Sequence, residues 1–263
     1  MDLELSGKRV FVSGSTQGIG FAIAKALLGE GASVVVNGRR EEGVRTAVRD
    51  LESAVPGASV SGIAADFESL DDVARLLDTL GEIDILVNNV GLFGVSPFGD
   101  LADDDWQRYF DVNVMSGVRL SRHVLGGMLA RGWGRIIFIG SESGVNVPGD
   151  MLHYGMTKAA MLAVSNGLAK LTRGTEVTVN TVLGGPTYSD GVARVVEQIS
   201  TAQGVSADDL KSAIVAENRT SLLQRFIEPA EIAHLVLYLA SPLSSATNGA
   251  AVRADGGVLT ATT

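Results

Sequence analysis

Apolar residues recur along this chain in two rhythms. Short runs rich in Val and Ile stand at KRVFVSG (8–14), SVVVNG (33–38), SVSGIAAD (59–66), IDILVNN (83–89), GRIIFIGS (134–141) and VTVNTVL (177–183). Between them, apolar positions repeat at helical spacing over 19–29, 41–54, 69–79, 103–130 and 153–174. Runs of the first kind read as strands and those of the second as helices. Their alternation predicts an α/β fold, a doubly wound parallel sheet with helices on both faces. The strand runs are almost continuously apolar, as expected where both faces are covered. The rhythm breaks at 187–228, where polar helical patterns carry almost no strand signal; an insertion there predicts a helical lid over a substrate. No repeat, linker or low-complexity block interrupts the rest, so residues 1–263 read as a single domain.

Composition narrows the function. Of the 263 residues, 46% are apolar and 19% charged, the balance of a compact globular chain. The net charge of −9 disfavours a phosphate-backbone partner, so no nucleic acid is expected. With no cysteine there is no disulfide, no thiolate nucleophile and no Cys-based metal site. His123 and His234 lie in helical runs without a partner at metal-ligand spacing, so no metal is expected, and His153 reads as a lining or packing residue. MDLELSGKRV is acidic and is not a secretory signal. No apolar run approaches the ~18 residues of a membrane span. The expected location is the cytoplasm, with no membrane partner.

Two stretches carry chemistry. SGSTQGIG places Gly14, Gly18 and Gly20 between the first strand and the first helix. Such a turn lets backbone approach a pyrophosphate and aims a helix N-terminus at its charge. In MLHYGMTKAA, Tyr154 and Lys158 are four residues apart and share one helix face. A phenol of pKa near ~10 is a poor base at neutral pH. An ammonium at ~4 Å and an effective dielectric of ~20 attracts the phenolate by about 4 kcal/mol before screening.

SGSTQGIG, NNVG (88–91), NV (113–114), Ser141 and YGMTK together resemble the short-chain dehydrogenase/reductases, in that family's order and spacing, with Ser141 13 residues before Tyr154. The resemblance runs from the first strand to ADGG at 254–257 and implies a Rossmann-type sheet. It implies a catalytic set of Asn113, Ser141, Tyr154 and Lys158. Ser141 would donate to a substrate carbonyl, Tyr154 would supply the proton, Lys158 would also hold the nicotinamide ribose, and Asn113 would hold a water. Asp66 resembles the adenine-binding aspartate, with Phe67 after it. Ser15, Ile19, Asn88, Val90 (where the family usually has Ala) and Gly91 would complete the nucleotide cradle. VLGGPT departs from the family, because Gly184 stands where Pro is usual. A looser backbone is expected before Gly185 and a stiffer one after it. The carboxamide-binding threonine falls at Ser189, with Thr187 as the substitute. The long helices and NGAAVRADGG resemble the family's subunit contacts, which implies a homotetramer or homodimer.

The cofactor reading rests on VVVNGRREE. NAD enzymes place an acidic residue near the end of the second strand to bind the ribose 2′-hydroxyl. Here Asn37 carries no charge, and Arg39 and Arg40 can hold a phosphate. NADP(H) is therefore expected over NAD(H). Phe93, Val145, Leu152 and Tyr188 are expected to line the substrate site and favour a medium-sized, largely apolar ketone or alcohol. The leading expectation is an NADP(H)-dependent oxidoreductase interconverting a carbonyl and an alcohol. The alternatives are a 3-oxoacyl carrier-protein reductase and a catalytically silent NADP-binding sensor.

Overall fold

The computed structural model describes residues 1–261. The elements follow in the order β1 (Arg9–Val12), α1 (Gly18–Gly29), β2 (Ser33–Gly38), α2 (Glu41–Ala54), β3 (Val60–Ala64), α3 (Leu70–Leu80) and β4 (Ile85–Asn88). Then come α4 (Asp103–Phe110), α5 (Ser116–Arg131), β5 (Trp133–Ser141), α6 (Leu152–Leu171), β6 (Glu176–Gly184), α7 (Asp190–Gln203), α8 (Ala207–Glu217), α9 (Pro229–Ala240) and β7 (Ala251–Ala254). The seven strands form one sheet in the order β3-β2-β1-β4-β5-β6-β7, with every pairing parallel. This is the doubly wound α/β sheet that the alternation predicts, in the Rossmann-type form that the resemblance implies.

Strand alternation divides the core into two layers. Val10, Val12, Val34, Val36, Ile85, Val87, Ile137 and Ile139 pack on one face with Ile23 and Leu27 of α1 and with Ile232 and Val236 of α9. Phe11, Val35, Leu86, Ile136 and Phe138 pack on the other with Val73 of α3, Leu120 of α5 and Met161 of α6. Each such buried side chain contributes about 1.5–3 kcal/mol. Both faces of the sheet are thereby fixed, and the strand ends are held in register.

Three features differ from the rhythm of the sequence. The single helix over 103–130 is broken by one turn of π-helix, Asp111–Met115. β7 was hidden because its residues, AVRA, are partly exposed at the sheet edge. β6 runs through Gly184, which pairs with Ser141 on one side and Ala254 on the other, so the expected loosening does not occur there. The insertion after β6 folds into α7 and α8, and its two ends are tied by a parallel bridge between Thr187 and Ile227. Among the described residues no helix is long and apolar enough to cross a membrane.

Candidate active site

The chain order reverses between β1 and β4, and a crevice of about 330 Å³ opens beyond the C-terminal ends of these strands. In open α/β sheets ligands bind at that switch point. The glycine loop forms its floor. Gly14 and Gly18 adopt φ of +61° and +60°, a region that disfavours residues with a Cβ. A Cβ on Gly20 would lie 2.4 Å from the carbonyl oxygen of Gly14, so the loop closes only around glycine. A ring of short polar side chains holds it. Asn37 Oδ1 accepts from Gly14 N at 3.1 Å, and Asn89 Nδ2 donates to the Gly14 carbonyl at 2.8 Å. Ser15 Oγ donates to the Val12 carbonyl and accepts from Asn37 N, at 2.6 and 2.9 Å.

The loop suits an anion. No side chain caps the start of α1, and no acidic residue lies in its first turn. Instead, Asp190 of the lid brings its carboxylate to Gly18 N at 2.6 Å. A carboxylate there stands in for a phosphate oxygen at a helix N-terminus. Arg194 on the same lid helix donates to Gln17 at 3.1 Å. These residues fit a dinucleotide.

At the other end, three elements meet. β5 ends at Ser141 and turns at once into a 3-10 turn, Glu142–Gly144. That turn lies directly on α6: a Cβ on Gly144 would stand 2.8 Å from the backbone carbon of Lys158, and one on Gly155 would stand 2.8 Å from the Ser143 carbonyl oxygen. The two glycines therefore set how closely Ser141 approaches Tyr154 and Lys158. Ser141 Oγ accepts from Ser143 N at 3.1 Å and donates to the Glu142 carboxylate. Asn113, fully buried in the π turn, accepts from Leu92 N at 2.6 Å and donates to the Leu92 carbonyl and to Thr157 Oγ1. Thr157 donates in turn to the Tyr154 carbonyl at 2.7 Å, so Asn113 stitches the loop after β4 to α6. A π turn of this kind is often found at functional sites.

Tyr154 and Lys158 point into the crevice, with Lys158 Nζ 5.5 Å from the centre of the Tyr154 ring. Lys158 is only 5% exposed and donates to the Ile139 carbonyl at 2.9 Å. Burial pulls its pKa down to about 8, against an opposing pull from the negative charge of Glu142. Burial drives the Tyr154 phenol well above its ordinary value; the Ser141 hydroxyl opposes this, and Glu142 and Tyr109 add to it. Sequence reasoning expected Lys158 to govern the phenol, but desolvation governs it here. His153 is buried against the ring of Tyr109, 4.0 Å away, and faces α4.

The crevice gathers many of the sequence-expected residues: Gly14, Gly18, Ile19, Gly20, Asn37, Arg39, Asp66, Phe67, Val90, Gly91, Phe93 and Ser189 line it. Others lie behind or outside its wall. Ser15 and Asn88 are buried, and Asn88 donates to Ser121. Arg40 is exposed at the start of α2, and Thr187 is buried, donating to the Gly185 carbonyl. A Cβ on Gly185 would lie 2.5 Å from the Asp255 carbonyl oxygen, so this glycine serves packing against the C-terminal turn. Tyr188 packs on Phe226, with Lys211 5.0 Å from its ring, and Leu152 begins α6 half-buried. Val145 is 54% exposed. Sequence reasoning missed Asn89, Glu68 and Glu142. Asn89 sits within NNVG and could have been found there; Glu142 gave no signal beyond standing next to Ser141. Among the described residues no group of three or more His, Asp or Glu could hold a metal.

Comparison with known proteins agrees with this geometry. The family model for short chain dehydrogenases matches residues 8–200. An uncharacterized oxidoreductase of Bacillus subtilis, YvrD, is 46% identical over 98% of this chain and 99% of its own length. L-sorbose reductase from Gluconobacter frateurii, solved with NADPH and L-sorbose, superposes with a TM-score of 0.93 at 30% identity, covering 99% of this chain and all of that one. A variant of actinorhodin polyketide ketoreductase, solved with NADPH, gives a TM-score of 0.86 at 32% identity, covering 96% of this chain and 97% of that one. Family model, relatives and fold agree, and the chain belongs to the short-chain dehydrogenase/reductase family of oxidoreductases.

Proposed function

We propose that the protein is an NADP(H)-dependent oxidoreductase interconverting a carbonyl and an alcohol on a small molecule, with Tyr154 as proton donor in reduction and acceptor in oxidation. The observation that carries this reading is one crevice with Tyr154 and Lys158 at one end and Arg39 at the other. A bound nicotinamide dinucleotide supplies the hydride in reduction and takes it back in oxidation. The chain's own residues do the rest. Ser141 turns its hydroxyl to the carbonyl oxygen, and Tyr154 delivers its proton to the same oxygen. Desolvation keeps the phenol protonated at neutral pH, the state a donor needs. Lys158, with a pKa of about 8, is mainly an ammonium at pH 7 and steadies the phenolate that remains. It also holds the ribose hydroxyls, while Asn113 positions the loop beside it.

Support for NADP(H) over NAD(H) comes from the end of β2. No acidic residue stands there, and Arg39 lines the crevice. Its neighbour Glu68 is already paired with Arg108 at 2.8 Å, which leaves the Arg39 guanidinium for a 2′-phosphate. The solved relatives with NADPH point the same way. Cytoplasmic placement and a homotetramer or homodimer belong to the same reading. The carrier-protein alternative is weaker, because Arg131 at the end of α5 donates to the Ile83 carbonyl and sits beside Glu82 and Asp84, where its charge is matched within the chain.

The test is single-turnover oxidation of NADPH with a panel of ketones, in wild type and Tyr154→Phe. Wild type should oxidise NADPH with at least one carbonyl. The variant should bind NADPH as tightly and lose several orders of magnitude in turnover. Binding without oxidation across the panel would favour the silent sensor, and a variant keeping more than about a tenth of the rate would remove the role given to Tyr154.

A further inference from the structure

The turn after β5 brings a carboxylate beside Ser141, close enough to act on Tyr154 and Lys158. Glu142 accepts from Ser141 Oγ on Oε2 and from Ser143 Oγ on Oε1, the latter at 3.2 Å. It takes part in none of the ion pairs among the described residues. Its charge reaches both Tyr154 and Lys158. The Glu142 carbonyl accepts from Val145 N and Asn146 N, which pins the residue in place. No ion pair among the described residues meets this carboxylate; the hydroxyls of Ser141 and Ser143 are what hold it.

We propose that Glu142 selects the substrate: the site takes a neutral ketone bearing a hydroxyl on the carbon next to the carbonyl, and turns away ketones with a carboxylate at that place. This rests on the carbonyl-reducing reading above. Ser141 has one hydroxyl proton, and while Tyr154 is protonated it is given to Glu142. To polarise a carbonyl, Ser141 must turn that proton to the substrate oxygen, which leaves Glu142 Oε2 without its donor. A charged acceptor left unpaired in a desolvated site is costly. Oxygens on adjacent carbons lie about one hydrogen-bond length apart. A substrate hydroxyl next to the carbonyl can therefore take over the bond that Ser141 gives up. A methylene there leaves the carboxylate unpaired, and a substrate carboxylate sets two like charges side by side.

The experiment compares three ketones of one shape, 1-hydroxy-2-butanone, 3-pentanone and 2-oxobutanoate, with NADPH. Wild type should favour the first over the second by at least about tenfold in kcat/KM and use the third least. Glu142→Gln keeps an acceptor oxygen and loses the charge. It should hold the hydroxyl preference and bring 2-oxobutanoate up to the level of 3-pentanone. Glu142→Leu removes the acceptor; it should bring the first two ketones to within about twofold of each other, with NADPH binding unchanged as the check on folding. Equal use of the first two by wild type would overturn the inference and leave the reductase reading standing. So would a uniform loss on all three ketones in Glu142→Leu, which would mean that Glu142 only orients Ser141. No NADPH oxidation with any carbonyl would remove the reductase reading, and this inference with it.

Discussion

Replacing Lys158 with Met should make the protein more stable at neutral pH while it loses activity. The amine is 5% exposed, is held by the Ile139 carbonyl, and belongs to none of the ion pairs among the described residues. Its pKa falls from 10.5 to about 8 on folding. At about 1.4 kcal/mol per pH unit, that drop corresponds to about 3 kcal/mol held against the folded state. Between about pH 8 and 10.5 the unfolded chain binds the proton and the folded chain does not, so wild-type stability rises with pH across that window. Above it the penalty is absent; below about pH 8 it is present in full. Met fills a similar volume without charge but leaves the Ile139 carbonyl without its donor, at a cost of about 1 kcal/mol. The net gain at pH 7 is about 2 kcal/mol, or about 4–8 °C in Tm for a chain of this size. Urea titrations of the cofactor-free protein at pH 7 and pH 10 measure it directly. The gap should be wide at pH 7 and should shrink toward pH 10. A variant no more stable than wild type at pH 7, with a gap flat in pH, would refute the account of a charge buried for function.

Two further outcomes follow from the ends of the crevice. Arg39→Ala should lower the NADPH-over-NADH ratio in kcat/KM by about 10- to 100-fold, chiefly through the KM for NADPH; a ratio that does not move would show that Arg39 stays in solvent. Gly144→Ala should force the Glu142–Gly144 turn off α6, because its Cβ would meet the Lys158 backbone at 2.8 Å. The expected result is a loss of about 10- to 100-fold in kcat with NADPH affinity nearly unchanged, together with a stability cost of about 1–3 kcal/mol.

What the sequence made legible here is what repeats or what needs a particular residue type. The sheet was readable because strands such as SVVVNG are apolar on both faces, and β2 falls on those residues, Ser33–Gly38. The crevice floor was readable because glycines at positive φ leave a spacing in the chain, as Gly14 and Gly18 do. The elements that escaped carry no such mark. β7 is a four-residue edge strand with no fully buried position, and the π turn at Asp111–Met115 has the same apolar spacing as the helices on either side. The helical rhythm ran straight through it, although that turn is what carries Asn113 to Leu92 and Thr157.

The electrostatics escaped for a related reason. Spacing says that Tyr154 and Lys158 share a face, and it invites the conclusion that the amine sets the acidity of the phenol. Burial is a property of the packed whole, and here it acts on both groups at once: it pushes the phenol up and the amine down. Both shifts favour the neutral form of each group. Among the described residues, the charge that opposes the loss of the Lys158 proton is Glu142, which four-residue spacing on α6 could not reveal because it arrives from the end of β5. The sequence motif therefore names the groups that meet, while the turn packed on Gly144 and Gly155 decides in what state they meet. A relative with the same motif and a different residue after its serine should share the reaction and differ in the protonation of its tyrosine and lysine, and so in its pH profile.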